Sequence, residues 1–142
     1  MLLSPCKTLN RQKIIYLVDD DEAVRDSARM LLEAQGLSVR DFESAAEFLE
    51  KTRGEGADCL LLDLHMPGLS GIELLELLRK RGILAPAIIL TGRYDPLLDE
   101  RITRAGVVTV MHKPVDSMAL LDLIVRVTAR SPERDTAGRD HK

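Results

Sequence analysis

Five short apolar runs are each followed by a segment with helical spacing, and this alternation restricts the fold more than any other feature of the chain. The runs are KIIYLV (13–18), LSVRDF (37–42), DCLLLDL (58–64), AIILTG (87–92) and VVTVMHK (107–113). Each is of strand length and too short for a typical helix. Between them, DEAVRDSARMLLEAQ (21–35) places Val24, Ala28, Leu31 and Leu32 at helical spacing, and Gly36 follows as a stop. SAAEFLEKTR, GIELLELLRKR, LLDERITRA and SMALLDLIVRVTAR repeat the helical pattern. Ser44, Ser70 and Asp116 stand where a helix cap belongs, and Pro96 suits a first helical turn. The LLL core of the third run has no polar alternation, as expected of a strand buried on both faces. Five strand–helix units in series predict an α/β fold: a doubly wound, five-stranded parallel sheet with five helices on its two faces.

The 142 residues fit one domain, expected over 12–130 between a flexible lead-in (1–11) and a flexible polar tail (131–142). Apolar residues make up 45% but aromatics only 3%, so the core must be built from Leu, Ile, Val, Ala and Met. A net charge of -3 leaves no basic stripe for direct nucleic-acid binding. No apolar run approaches the ~18 residues of a membrane span. The opening MLLSPC lacks the charged and apolar regions of a signal peptide. Cys6 and Cys59 form neither a disulfide framework nor a metal pattern, which points to a reducing, cytoplasmic setting.

In open parallel sheets, ligands bind beyond the carboxyl ends of the strands. Strand one delivers Asp19, Asp20 and Asp21 there; strand three delivers Asp63, strand four Thr91 and strand five Lys113. Strand two delivers Asp41, which does not join this pocket. Two carboxylates about 4 Å apart repel by roughly 4 kcal/mol at an effective dielectric near 20, so such crowding calls for a cation. Hard oxygen ligands without sulfur favour Mg²⁺. Lys113 can pair with a phosphoryl group, and Thr91 can donate a hydrogen bond to it. Asp63 stands alone on its strand and is the better nucleophile, with Asp19 and Asp20 holding metal. Asp21 is better placed as a helix cap.

The motifs VDDDEAVRDS, LLDLHMPGLSGIELL, IILTG and HKP resemble, in order and spacing, the receiver domains of two-component response regulators. The resemblance runs from about residue 13 to 130. It implies the flavodoxin-like strand order 2-1-3-4-5, which a chemotaxis receiver also shows. It implies phosphoryl transfer to Asp63 from a sensor histidine kinase or histidine phosphotransfer protein. Asp20 would bind Mg²⁺ directly and Asp19 through water, with the backbone carbonyl of His65 as a further ligand. Thr91 and Lys113 would hold the phosphoryl oxygens, and the Lys113–Pro114 bond would be cis. The expected activity is that of a phosphoacceptor with autodephosphorylation, not a turnover enzyme. The kinase is expected near Val24 to Leu31 and the Pro114–Val115 loop.

The chain departs from the family at Val110, where an aromatic switch residue is usual. Tyr94 is the candidate substitute, against the simpler role of packing. His65 and Arg93 are candidate rate-tuning neighbours of the site. With only SPERDTAGRDHK after the last helix, the expected output is that of a stand-alone regulator. It would bind an unknown protein target, drain phosphate, or pair with a second copy through the helices and strand of the 96–130 region. Apolar residues in the last helix serve either a wide core face or such an interface. Two other readings compete. A phosphorylation-independent docking module would suit Val110 but not the intact acid set. A haloacid-dehalogenase-type phosphatase would use Asp19 and Asp21, but leaves Asp63 without a role and offers only Asp116 as a later acid.

Overall fold

The structure is a computed structural model, described here for residues 12–129. The expected lead-in and tail, and Arg130 at the domain's edge, therefore lie outside the described residues. Strands β1 (Ile14–Val18), β2 (Ser38–Phe42), β3 (Cys59–Asp63), β4 (Ala87–Thr91) and β5 (Val107–His112) form one parallel sheet in the order β2-β1-β3-β4-β5. Helices α1 (Glu22–Ala34), α2 (Ala45–Lys51), α3 (Gly71–Lys80), α4 (Asp99–Arg104) and α5 (Ser117–Ala129) follow the strands in turn. This is the flavodoxin-like order that the resemblance to receiver domains implies.

Successive strand side chains point to opposite faces, and here both faces are covered. Tyr16, Val18, Leu60, Leu62, Ala87 and Ile89 meet Phe48 and the apolar side of α3 on one face. Ile15, Leu17, Leu61, Ile88 and Leu90 meet Ala28, Leu32, Leu120 and Ile124 of α1 and α5 on the other. All five residues of β3 and of β4 are consequently buried. Strand β5 has a neighbour on one side only and retains exposed Val108.

The caps lie where the local sequence places them. Asp21 accepts hydrogen bonds from the amides of Ala23 and Val24, and Asp116 from those of Met118 and Ala119. Ser44 accepts from Glu47 N–H. Ser70 and Glu73 cap each other reciprocally at α3. Gly36, at φ +87°, ends α1 in a conformation that disfavours side chains with a Cβ. The fourth helix is shorter than its apolar pattern suggests: Pro96–Leu98 form a 3₁₀ turn, and only Asp99–Arg104 are α-helical. In α5, Leu120, Ile124 and Val127 are buried, and Leu121 and Leu123 pack half-buried on the same core. Most of its apolar surplus is thus core face, with Met118 and Val125 left exposed.

Candidate functional site

The register of the sheet assembles the predicted residues. β1 pairs with β3 so that Val18 lies opposite Leu62, which brings the next residues, Asp19 and Asp63, side by side. β3 pairs with β4, and Thr91 ends that strand. Lys113 lies one residue beyond β5, where its amide donates to the Thr91 carbonyl at 2.8 Å. The Lys113–Pro114 bond is cis, in line with the resemblance.

Asp19 and Asp63 are buried, whereas Asp20 is exposed. One carboxylate oxygen from each of the three lies within 4.8 Å of the others. The Lys113 ammonium is 2.9 Å from Asp19 Oδ2 and 3.4 Å from Asp63 Oδ2. Burial, then the neighbouring Asp19 charge, pushes the Asp63 pKa up to about 7, against the opposing pull of Lys113. Burial lowers the Lys113 pKa, but the two carboxylates outweigh it and the net shift is upward. Lys113 therefore remains a cation across the neutral range.

This donor set fits a hard divalent cation. Asp19 Oδ1 accepts the amide of Asp21 at 2.9 Å. Its buried Oδ2 has the Lys113 charge nearby but no well-directed hydrogen-bond donor. Opposite ligands of Mg²⁺ at about 2.1 Å lie about 4.2 Å apart, so a small closure of the three carboxylates would complete such a seat. The His65 imidazole is not part of it. His65 N–H lies 3.4 Å from Asp63 Oδ1, and its ring reaches away to the Arg93 carbonyl at 3.2 Å. The Thr91 hydroxyl is also turned toward Arg93, donating to its carbonyl at 2.6 Å and accepting its N–H at 3.0 Å.

Two residues important to this geometry escape a reading of the motifs. Arg25, on the first turns of α1, donates to the Asp19 carbonyl at 2.8 Å and lies 3.2 Å from Asp41 Oδ2. Arg29 pairs with the other Asp41 oxygen. Asp41 thus anchors α1 beside the acids instead of joining them. The available signal was Arg25 four residues after the Asp21 cap, on a helix that starts at the site. The second residue is Gly71, whose absent Cβ would sit 2.2 Å from the Asp63 carbonyl oxygen. Only glycine lets α3 start that close to the end of β3.

Of the residues considered for switching, Val110 is half-buried against the α2–α3–α4 core. Tyr94 is exposed, and its hydroxyl donates to Asp99. A cavity of about 290 Å³ opens between α1 and the β5–α5 connection. Val24, Ala28, Leu31, Pro114 and Val115 line it, with Lys113 on its wall.

Residues 15–125 match a family model described as response regulator receiver domain. The transcriptional regulatory protein FixJ of Azorhizobium caulinodans is 37% identical over 120 residues, covering 84% of this chain and 57% of that protein. Nodulation protein W of Bradyrhizobium diazoefficiens is 36% identical over 126 residues, covering 89% of this chain and 56% of that protein. The chain therefore spans little more than half the length of these relatives. Among solved structures, a CheY-like receiver domain protein from Methanospirillum hungatei superposes with a TM-score of 0.81 at 31% identity, covering 87% of this chain and 99% of the other. Response regulator StyR also gives 0.81, at 37% identity, covering 92% of this chain and 66% of the other.

Proposed function

Because the chain belongs to the response regulator receiver family, we propose that Asp63 accepts a phosphoryl group from a phosphohistidine of a sensor kinase or phosphotransfer protein. The observation that carries this reading is a buried strand-end carboxylate, Asp63, with the Lys113 ammonium 3.4 Å away and two further acids around it. In the transfer, an Asp63 oxygen forms a bond to phosphorus as the donor's N–P bond breaks, and the bonding pair returns to the imidazole. The Asp19, Asp20 and Asp63 carboxylates and the His65 carbonyl are the groups that would hold Mg²⁺. That ion supplies charge neutralisation for the transferring group. Lys113 balances charge on the adduct, and Thr91 turns its hydroxyl from Arg93 to a phosphoryl oxygen. The adduct adds about -1.5 to -2 charges at neutral pH, and the loop after β4 responds.

The cavity between α1 and the β5–α5 connection supports docking of the phosphodonor beside Lys113. Exposed Leu97, Val108 and Tyr94 support output through a protein surface on the α4–β5 side, to a target or a second copy of the chain. Phosphate drainage is the other output of the same chemistry.

The test is intact mass after incubation with Mg²⁺ and a small acyl phosphate, for the wild type and Asp63→Asn. The wild type is expected to gain one phosphoryl group and lose it with time, while the variant gains none. A wild type that gains no mass under these conditions would overturn the reading in favour of phosphorylation-independent docking.

A further inference from the structure

Arg79 is a half-buried cation that pairs with no carboxylate among the described residues. Its Nε donates to the Ala105 carbonyl at 2.8 Å, and its Nη1 donates to the carbonyls of Ile83 and Ala85 at 2.9 and 2.8 Å. These carbonyls lie in the connections that follow α3 and α4, and their dipoles offset part of the charge. They supply no formal counter-charge: burial lowers the Arg79 pKa, and no acid acts in the other direction. Nη2 makes no hydrogen bond within the described residues. Gly106 stands beside it, and a Cβ added there would have Nη2 as its nearest neighbour, at 3.9 Å. The glycine leaves that nitrogen uncovered.

Arg79 lines a cavity of about 380 Å³ between α3 and the end of α4, together with Glu76, Lys80, Arg104 and Ala105. Three of these side chains are cations and one is an acid, so the cleft is positive on a chain whose net charge is -3. The acid is already neutralised, since both Glu76 oxygens accept from Arg101, at 2.6 and 3.0 Å. Lys80 is exposed and forms no ion pair among the described residues. Arg104 meets Glu100 at 2.7 Å, but these side chains are 72% and 82% exposed, and such pairs contribute little. Arg104 is therefore able to turn into the cleft.

One guanidinium fixed by backbone carbonyls and two cations on mobile stems are the donors that phosphate oxygens select. The volume is that of a small-molecule site. We propose that the α3–α4 cleft binds a small phosphate-bearing molecule, with Arg79 as the fixed donor and Lys80 and Arg104 closing over the anion. α3 begins against Asp63 and Arg79 stands near its far end, so this site is separate from the acid cluster. It stands whether or not Asp63 accepts a phosphoryl group.

The measurement is amide NMR of the full chain at physiological salt without divalent cations, titrated with inorganic pyrophosphate, with ADP and with succinate. The proteins are the wild type, Lys80→Ala, Arg104→Ala and the double variant. Both residues are exposed, so the variants are expected to fold. Pyrophosphate should shift the amides of Lys80, Ala105 and Gly106 saturably, at one site, and leave those of Asp19 and Asp63 in place. Each single variant should weaken binding about threefold and the double variant about tenfold, as exposed charges do. Tighter binding of ADP would identify the ligand as a nucleotide; equal binding would identify the phosphate groups as all that is recognised. Shifts that do not saturate, or that spread over exposed lysines and arginines elsewhere, would overturn the proposal. So would unchanged affinity in the double variant, or succinate binding as tightly as pyrophosphate.

Discussion

Replacing Asp63 by asparagine should stabilise the metal-free protein by an amount that grows as pH rises from about 4 to about 7. Burial and the Asp19 charge raise the Asp63 pKa from 3.8 to about 7. Between those values the folded state retains a proton that the unfolded chain has released. Stability then falls as pH rises, because the folded state binds more protons. The favourable contribution is present below about pH 4 and lost above about pH 7. Three units at 1.36 kcal/mol each set a ceiling of about 4 kcal/mol. Solvent at the open strand ends reduces this, and about 1–3 kcal/mol is the expected range. Asparagine carries no charge to desolvate and should escape the loss. The assay is urea unfolding of both proteins in a chelator at pH 5 and pH 8. The variant should gain about 1–3 kcal/mol on the wild type at pH 8 and roughly a third of that at pH 5. Mg²⁺ at pH 8 should narrow the gap, since a cation binding only the folded wild type restores its stability. An advantage of equal size at both pH values, or a less stable variant at pH 8, would refute the electrostatic account of the acid cluster.

Three further perturbations address the scaffold. Gly71→Ala would push a methyl group into the Asp63 carbonyl, so a loss of about 1–3 kcal/mol is expected, together with a slower phosphorylation rate by intact mass. Arg25→Ala removes the donor to the Asp19 carbonyl and one partner of Asp41. It should cost about 1–3 kcal/mol and weaken Mg²⁺ binding several-fold in calorimetry, with Arg25→Lys recovering part of the loss. Arg79 donates to the carbonyls of Ala105, Ile83 and Ala85, far from the acids. Arg79→Ala should lower the urea midpoint by the equivalent of about 2–4 kcal/mol while leaving the rate of adduct formation in the remaining folded protein unchanged.

The strands and their order of appearance were legible because the relevant interactions are local. β3 and β4 are apolar without alternation, which is how a strand covered on both faces must read. Ser70 with Glu73, Asp21 and Asp116 announce helix starts through hydrogen bonds spanning two or three residues. The fourth helix was less legible. Its apolar spacing continues through Leu97 and Leu98, yet Asp95 and Pro96 set up a 3₁₀ turn before it. Leu97 ends exposed, so no burial draws the turn into the helix.

The candidate site divides the same way. Sequence alone determined the residue types available at the strand ends: acids after β1 and at the end of β3, a hydroxyl at the end of β4 and an ammonium after β5. It could do so because a parallel α/β sheet puts every strand's carboxyl end at one edge. Tertiary structure alone decided which of these groups touch. Lys113 lies nearer Asp19 than Asp63, Arg25 takes Asp41 out of the acid cluster, and Gly71 stands against the Asp63 backbone. The ring of His65 reaches Arg93, 28 residues away in the chain. Such contacts depend on sheet order, register and the angle at which each helix leaves its strand. No periodicity or cap encodes those quantities, because they arise from packing the two apolar faces of the whole sheet at once.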